Sequence, residues 1–251
     1  MIKYYLLISI ILSIANIRLI AQEIESIQAD RPDQTETPFT VPKNHFQMEF
    51  GFSYEHINLN NEVYTNPTSL FKYGLSKHFE LGLIAEIVNI KSTQKVSGLT
   101  PVTLRFKSNI TEEKGILPKT TIIGYLTIPY LASEQLKQKY YAPAFKFAMQ
   151  NTLSKDFSLG YNLGAEWDGE SPEPTFLYSI SLGYSISEKI GAFAELFGFA
   201  PQFSKSEHSF DCGLNYLCRP NLLFDISGGI RLTENAPLYF IGMGFSLRLK
   251  D

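Results

Sequence analysis

Sixteen residues, Leu153 to Asp168 (LSKDFSLGYNLGAEWD), constrain this chain more than any other stretch. After a polar turn at Ser154-Lys155-Asp156 the run alternates without a gap. Phe157, Leu159, Tyr161, Leu163, Ala165 and Trp167 fall on one face, and Ser158, Gly160, Asn162, Gly164, Glu166 and Asp168 on the other. Successive side chains of a strand point to opposite faces, so the run builds one apolar wall and one wet wall. A strand of about ten residues with this pattern reads as a stave of a membrane barrel, with lipid outside and water inside. A soluble lipocalin-like barrel or sandwich would bury the apolar face, and needs far fewer aromatics there than 19 Phe and 14 Tyr supply.

The pattern recurs. Candidate strands cover residues 45–56, 68–75, 79–88, 99–108, 120–128, 140–150, 157–168, 175–186, 190–199, 208–217, 222–232 and 238–249. The fifth is apolar on both faces, and the ninth sets Glu195 between Phe193 and Phe197, so neither has a clear inside. Connections alternate as well. Near-identical tight turns, LSKHFELG and LSKDFSLG, recur on one side, and longer links such as NLNNEVYTN, KSTQKVSG, LASEQLKQK and APQFSKSE lie on the other. Short periplasmic turns opposite longer outer loops are the asymmetry of an outer-membrane barrel. The link 110–118 is long where a short turn is expected. The expected fold is all-β: a closed antiparallel transmembrane β-barrel of about twelve strands, with both termini on the periplasmic side. No apolar run reaches the roughly eighteen residues of a spanning helix.

Three segments are expected. Residues 1–21 read as a secretory signal, with Lys3 at the start, an apolar core from Leu6 to Ile14 and a cleavable Ala21-Gln22 bond. Residues 22–43, rich in acids and carrying three prolines, form a periplasmic or luminal arm, and residues 44–251 form the barrel. The loop composition is reminiscent of Bacteroidetes proteins. Formal charge is −3, and losing Lys3 and Arg18 with the signal takes the 22 basic residues to 20 against 25 acidic ones. A nucleic-acid partner, which wants a basic face, is excluded. Cys212 and Cys218 lie six apart on one strand, about 20 Å extended, beyond disulfide reach.

The polar faces nominate Glu49, Lys72, Glu80, Glu86, Arg105, Lys107, Lys146, Glu166, Asp211, Asp225, Arg231 and Arg248 as lumen-lining. Both signs occur, so the lumen is either an open channel tuned by its charges or a plug of paired charges. A catalytic barrel would pair His and Ser on one face. Of His45, His56, His78 and His208 only the last adjoins a Ser, and Ser209 points the other way. No catalytic residue or cofactor is expected, and no metal site on the histidines. In the arm, Pro32, Pro38 and Pro42 stiffen the chain. It is an ordered lead-in to the first strand, or a lumen gate with Arg31 pairing a luminal acid, or a Ca²⁺ site on Asp30, Asp33 and Glu36.

Asp30, Arg31, Pro32, Thr35, Glu36, Pro38, Thr40, Val41, Pro42, Gln47, Glu49 and Gly51 form a string, DRP…TE.P.TVP…Q.E.G, that resembles the N-terminal signature of the outer-membrane family labelled "MetA-pathway of phenol degradation". Asn44 stands where that family usually has Gly. The final strand, YFIGMGFSLRL, resembles the C-terminal strand of bacterial outer-membrane proteins. The resemblance implies a barrel in the outer membrane of a Gram-negative bacterium. Its expected partners are outer-membrane lipid and small solutes, hydrophobic or aromatic, that pass through it. The alternative is an accessory barrel, its lumen plugged, in a larger outer-membrane complex.

Overall fold

Alternation becomes one continuous antiparallel sheet. The computed structural model describes residues 26–250; the signal expected at residues 1–21 lies outside them. The strands are β1 (His45–Asn58), β2 (Asn61–Gly74), β3 (Phe79–Lys91), β4 (Lys95–Leu99), β5 (Val102–Thr111), β6 (Lys119–Ile128), β7 (Ala142–Thr152), β8 (Phe157–Glu166), β9 (Thr175–Ser185), β10 (Ile190–Pro201), β11 (Glu207–Arg219), β12 (Leu222–Arg231) and β13 (Tyr239–Lys250). β1 pairs with β13 from His45↔Lys250 to His56↔Tyr239, which closes the sheet. A closed sheet leaves no unpaired edge in hydrocarbon. β4 and β5 both lie along β3 and form one stave broken at Thr100-Pro101. Proline has no N–H for the ladder, so the break falls there. The barrel therefore has twelve staves.

Inside and outside are inverted relative to a soluble protein. Lys107 and Glu80 are fully buried, at 0% exposure, while Leu163 is 55% exposed. The short connections at one end begin with exposed Leu75, Leu153 and Ile186, and polar tips follow them. These residues mark the lower rim of the apolar belt. The end with these short connections is the turn end, and the other is the loop end.

One expectation is corrected, and the two strands whose faces the sequence left open acquire an inside. NLNNEVYTN and KSTQKVSG are not long links: β2 begins at Asn61, seven residues before the expected strand, and β3 and β4 extend to within a short turn of each other. Asn and Pro disguise the strand, but a bulge between Thr65 and Thr68 absorbs Pro67. On β6, Ile123 is turned inward and fully buried, cross-strand from Lys107 and Lys146. On β10, Phe193, Glu195 and Phe197 are all buried on the inward face, and Leu196 is exposed outside. Aromatics therefore do not mark the lipid face of that strand.

Candidate functional site

The arm, residues 26–44, is a loop that dips into the barrel from the turn end. It begins where the Ile27 amide donates to the Pro220 carbonyl, 2.8 Å, at the turn between β11 and β12. It leaves where the Asn44 amide donates to the Gly74 carbonyl, 2.9 Å, at the end of β2. Asn44 has φ +58°, the left-handed region that glycine enters freely and asparagine tolerates. The bend into β1 thus explains why Asn can replace Gly here. Strands β1 to β3, β5 to β10 and β12 all hydrogen-bond to the arm.

One side of the lumen is basic. Asp30 sits among Lys72 (2.9 Å), Arg105 (2.8 Å) and Lys107 (2.7 Å). Its amide donates to Glu49 at 3.0 Å, and Lys72 also pairs with Glu49. Glu36 accepts from Arg105 (2.6 Å), Lys146 (2.9 Å) and the Tyr125 hydroxyl. The Glu36 amide donates to Asn162, and the Asn162 side-chain amide returns a bond to the Glu36 carbonyl. Glu80 joins the network by accepting from Arg105 at 2.6 Å and from the Val41 amide at 2.8 Å. Lys107 also reaches the Thr37 carbonyl, and Thr121 the Pro38 carbonyl. Burial drives the Asp30 carboxyl up, but Lys107, Lys72 and Arg105 outweigh it and hold the group well below the usual carboxylate range. For Glu36, burial is likewise overcome by Lys146 and Arg105, which leave it at about 2. Both carboxylates are charge-paired anchors.

The opposite side is acidic. The Gln34 amide donates to Glu195 at 2.7 Å, and Thr35 bonds both Glu195 and Ser179. Ser181 donates to Asp33 at 3.0 Å. Asp211 lies cross-strand from Glu195. Arg31 crosses to Asp225 at 3.0 Å, over Gly51 of β1 and Gly244 of β13. A Cβ on Gly51 would fall 1.9 Å from the guanidinium, and one on Gly244 2.6 Å from it. The two glycines form the groove in which Arg31 lies.

The sequence-nominated residues divide by depth. Glu49, Lys72, Glu80, Arg105, Lys107, Lys146 and Asp225 meet the arm or its partners, as do Asp30, Arg31, Thr35, Glu36, Pro38 and Gln47 of the signature. The Pro42 carbonyl accepts the His45 amide, and Pro32 lines the turn-end cavity. Glu86 instead bonds Thr68, Arg231 reaches the Glu234 carbonyl at the loop end, Glu166 stands near Lys146, and Arg248 is buried at the turn end. Asp30 and Glu36 share Arg105 on the basic side and have their oxygens taken by cations, while Asp33 turns to Ser181 on the opposite side, which is not a Ca²⁺ cage. Glu195, Asn162 and Tyr125 were not nominated. For Glu195 a signal existed: a charged residue mid-strand fixes the inward parity against its aromatic neighbours.

Space remains on both faces of the arm. At the turn end a cavity of about 400 Å³ lies between the arm and β8 to β11, lined by Ser158, Ser181, Ser185 and Asn215. Towards the loop end, a void of about 20 Å³ beside Gln34, Leu177, Phe197 and Phe199 has room for about one water. Phe197 packs on Phe240 at 5.9 Å and on Phe199 at 6.2 Å, so the mouth above the arm has an aromatic wall.

A closed sheet with an apolar exterior, a charged interior and a lumen arm defines an outer-membrane β-barrel. The chain belongs to the family described as "Putative MetA-pathway of phenol degradation", whose profile matches residues 29–249. An outer-membrane channel from Pseudomonas putida F1 superposes with TM-score 0.68 at 12% identity, covering 87% of this chain and 99% of that one. The NanC porin gives 0.58 at 11% identity (81% and 100% covered), and the KdgM porin 0.53 at 8% (80% and 98%). At these identities the likeness shows the fold. No curated protein matches the sequence.

Proposed function

We propose that the protein is an outer-membrane channel for small hydrophobic or aromatic solutes, and that the arm is its gate. The observation that carries this reading is how the arm is held. Its bonds to the wall are ion pairs and hydrogen bonds, and these exchange with water when the loop withdraws. With the arm seated, the space beside Gln34 is far too small for a solute. With it withdrawn, Lys72, Arg105 and Lys107 would face Glu195, Asp211 and Asp225 across an open lumen, below the aromatic mouth of Phe197, Phe199 and Phe240. That mouth, and the family's description, favour aromatic solutes. The accessory-subunit reading wants a polar outer face. The two strands with ambiguous faces in the sequence expose Leu126 on β6 and Ile190 and Leu196 on β10 instead.

The test is single-channel recording in planar bilayers. Removing one partner of a buried pair costs about 3–5 kcal/mol. Inverting a 1:99 equilibrium takes about 5.5 kcal/mol. Arg31→Ala, which strands Asp225, should therefore take a channel poised at about 1:99 past its midpoint, to mostly open steps. Folded barrels silent in both forms would contradict the gate and favour a plugged accessory subunit.

A further inference from the structure

We propose that the connection between β5 and β6 is a foot that seats the barrel in the turn-end leaflet, with Ile116 and Leu117 inserted at the boundary between phospholipid headgroups and acyl chains. This is the link whose length breaks the pattern of short turns. It does not hang below the barrel. The Glu113 carboxylate accepts from the Thr152 amide at 2.6 Å and from the Thr152 hydroxyl at 2.8 Å, tying the link to the end of β7. Asn151 donates to the Ile116 carbonyl at 3.3 Å. Asn151 also accepts from the Tyr161 hydroxyl, and it shares the lipid-facing side of β7 with Phe145 and Phe147. The link therefore folds back against the outer wall. Asn151 pairs with Leu159, two residues into the strands from the Leu153 rim, so the Ile116 carbonyl lies at the height of the belt.

The tip is built to present apolar side chains. Lys114 and Leu117 exchange backbone hydrogen bonds at 3.0 and 3.1 Å around a two-residue corner, Gly115-Ile116. Gly115 takes φ +62°, the first position of a turn where glycine is favoured. The corner leaves Ile116 98% exposed and Leu117 49% exposed. Ile110 near the end of β5 and Leu153, next to Thr152, are exposed as well, so the strands that the link is tied to carry the lipid-facing belt down to this end. Lys119 neutralises Glu112 at 2.6 Å, which lowers the charge carried towards the lipid. A phospholipid leaflet matches a patch continuous with that belt. A soluble partner would require the tip to point away from it.

Trp167→Phe removes the sole tryptophan, and Ile116→Trp then reports on the tip. The protein is folded into phosphatidylethanolamine–phosphatidylglycerol vesicles doped with phosphatidylcholine brominated either near the headgroup or near the chain end. Folding is checked by heat-modifiable mobility, and Leu117→Trp serves if the first variant does not fold. The proposal expects blue-shifted emission, protection from aqueous iodide and stronger quenching by the shallow bromine. Full iodide quenching with no bromine effect overturns it by leaving the tip in water. Iodide protection without bromine quenching overturns it too, because protein, such as a second copy detected by cross-linking, then covers the tip.

Discussion

Arg31 reaches Asp225 only because Gly51 and Gly244 leave the space for its guanidinium. Gly51→Val should displace the arm while the barrel still folds, because the new side chain needs the volume that Arg31 fills. Heat-modifiable mobility should be retained and channel opening raised, as with Arg31→Ala. Asp33 gives a pH dependence. Burial, then the Glu195 carboxylate, hold its carboxyl well above the ordinary 3.8. The seated arm thus favours the protonated form. Its stabilisation is complete below the ordinary value and is lost as pH rises towards the raised one. Asp30 and Glu36 act in the opposite sense, but their seating is lost only on acidification below the ordinary carboxylate range, Glu36 towards pH about 2. Above the ordinary carboxylate range of about pH 4 the open fraction should therefore rise with pH. Asp33→Asn should reduce that rise, although Glu195 and Asp211 face the same spot and keep part of it. An unchanged profile would remove Asp33 from the latch.

At the scale of the strand, period-two alternation carries most of the information. β8, β9, β12 and β13 follow it, and their inward and outward sides were legible from sequence. Leu163 lies within the exposed belt of β8, so Leu163→Lys should cost about 2–4 kcal/mol and slow assembly into vesicles. Trp167 lies just past the end of β8, with its indole N–H on the Pro172 carbonyl, and should tolerate Lys better. Equal assembly of wild type and the Leu163 variant would contradict the assigned faces. β6 and β10 escaped the pattern for a physical reason. Their inward apolar residues are solvated by neither water nor lipid. Ile123 is buried between inward lysines and Phe197 against Phe240. The start of β2 was hidden by Asn61, Asn66 and Pro67, residues that a ladder accepts at bulges and edges.

For the molecule as a whole, the arm's identity as a distinct stretch was legible, and the pairing of Arg31 with a luminal acid was one of the readings the sequence left open. Its path was not. Which wall each carboxylate meets depends on the order of twelve staves around a closed ring, and local sequence does not encode that juxtaposition. The arrangement matches charge to charge: Asp30 and Glu36 on the side of Lys72, Arg105, Lys107 and Lys146, and Arg31 on the side of Glu195 and Asp225. The central claim is that this loop governs passage. Thr35 and Ser179 hydroxyls lie 2.7 Å apart, so paired cysteines there, with Cys212 and Cys218 replaced by Ser, should lock the arm to β9. The measurement is conductance of this protein in a planar bilayer before and after reduction. The account predicts a closed barrel when oxidised and discrete openings when reduced. Equal conductance in both states, with the disulfide verified by mass, would contradict it.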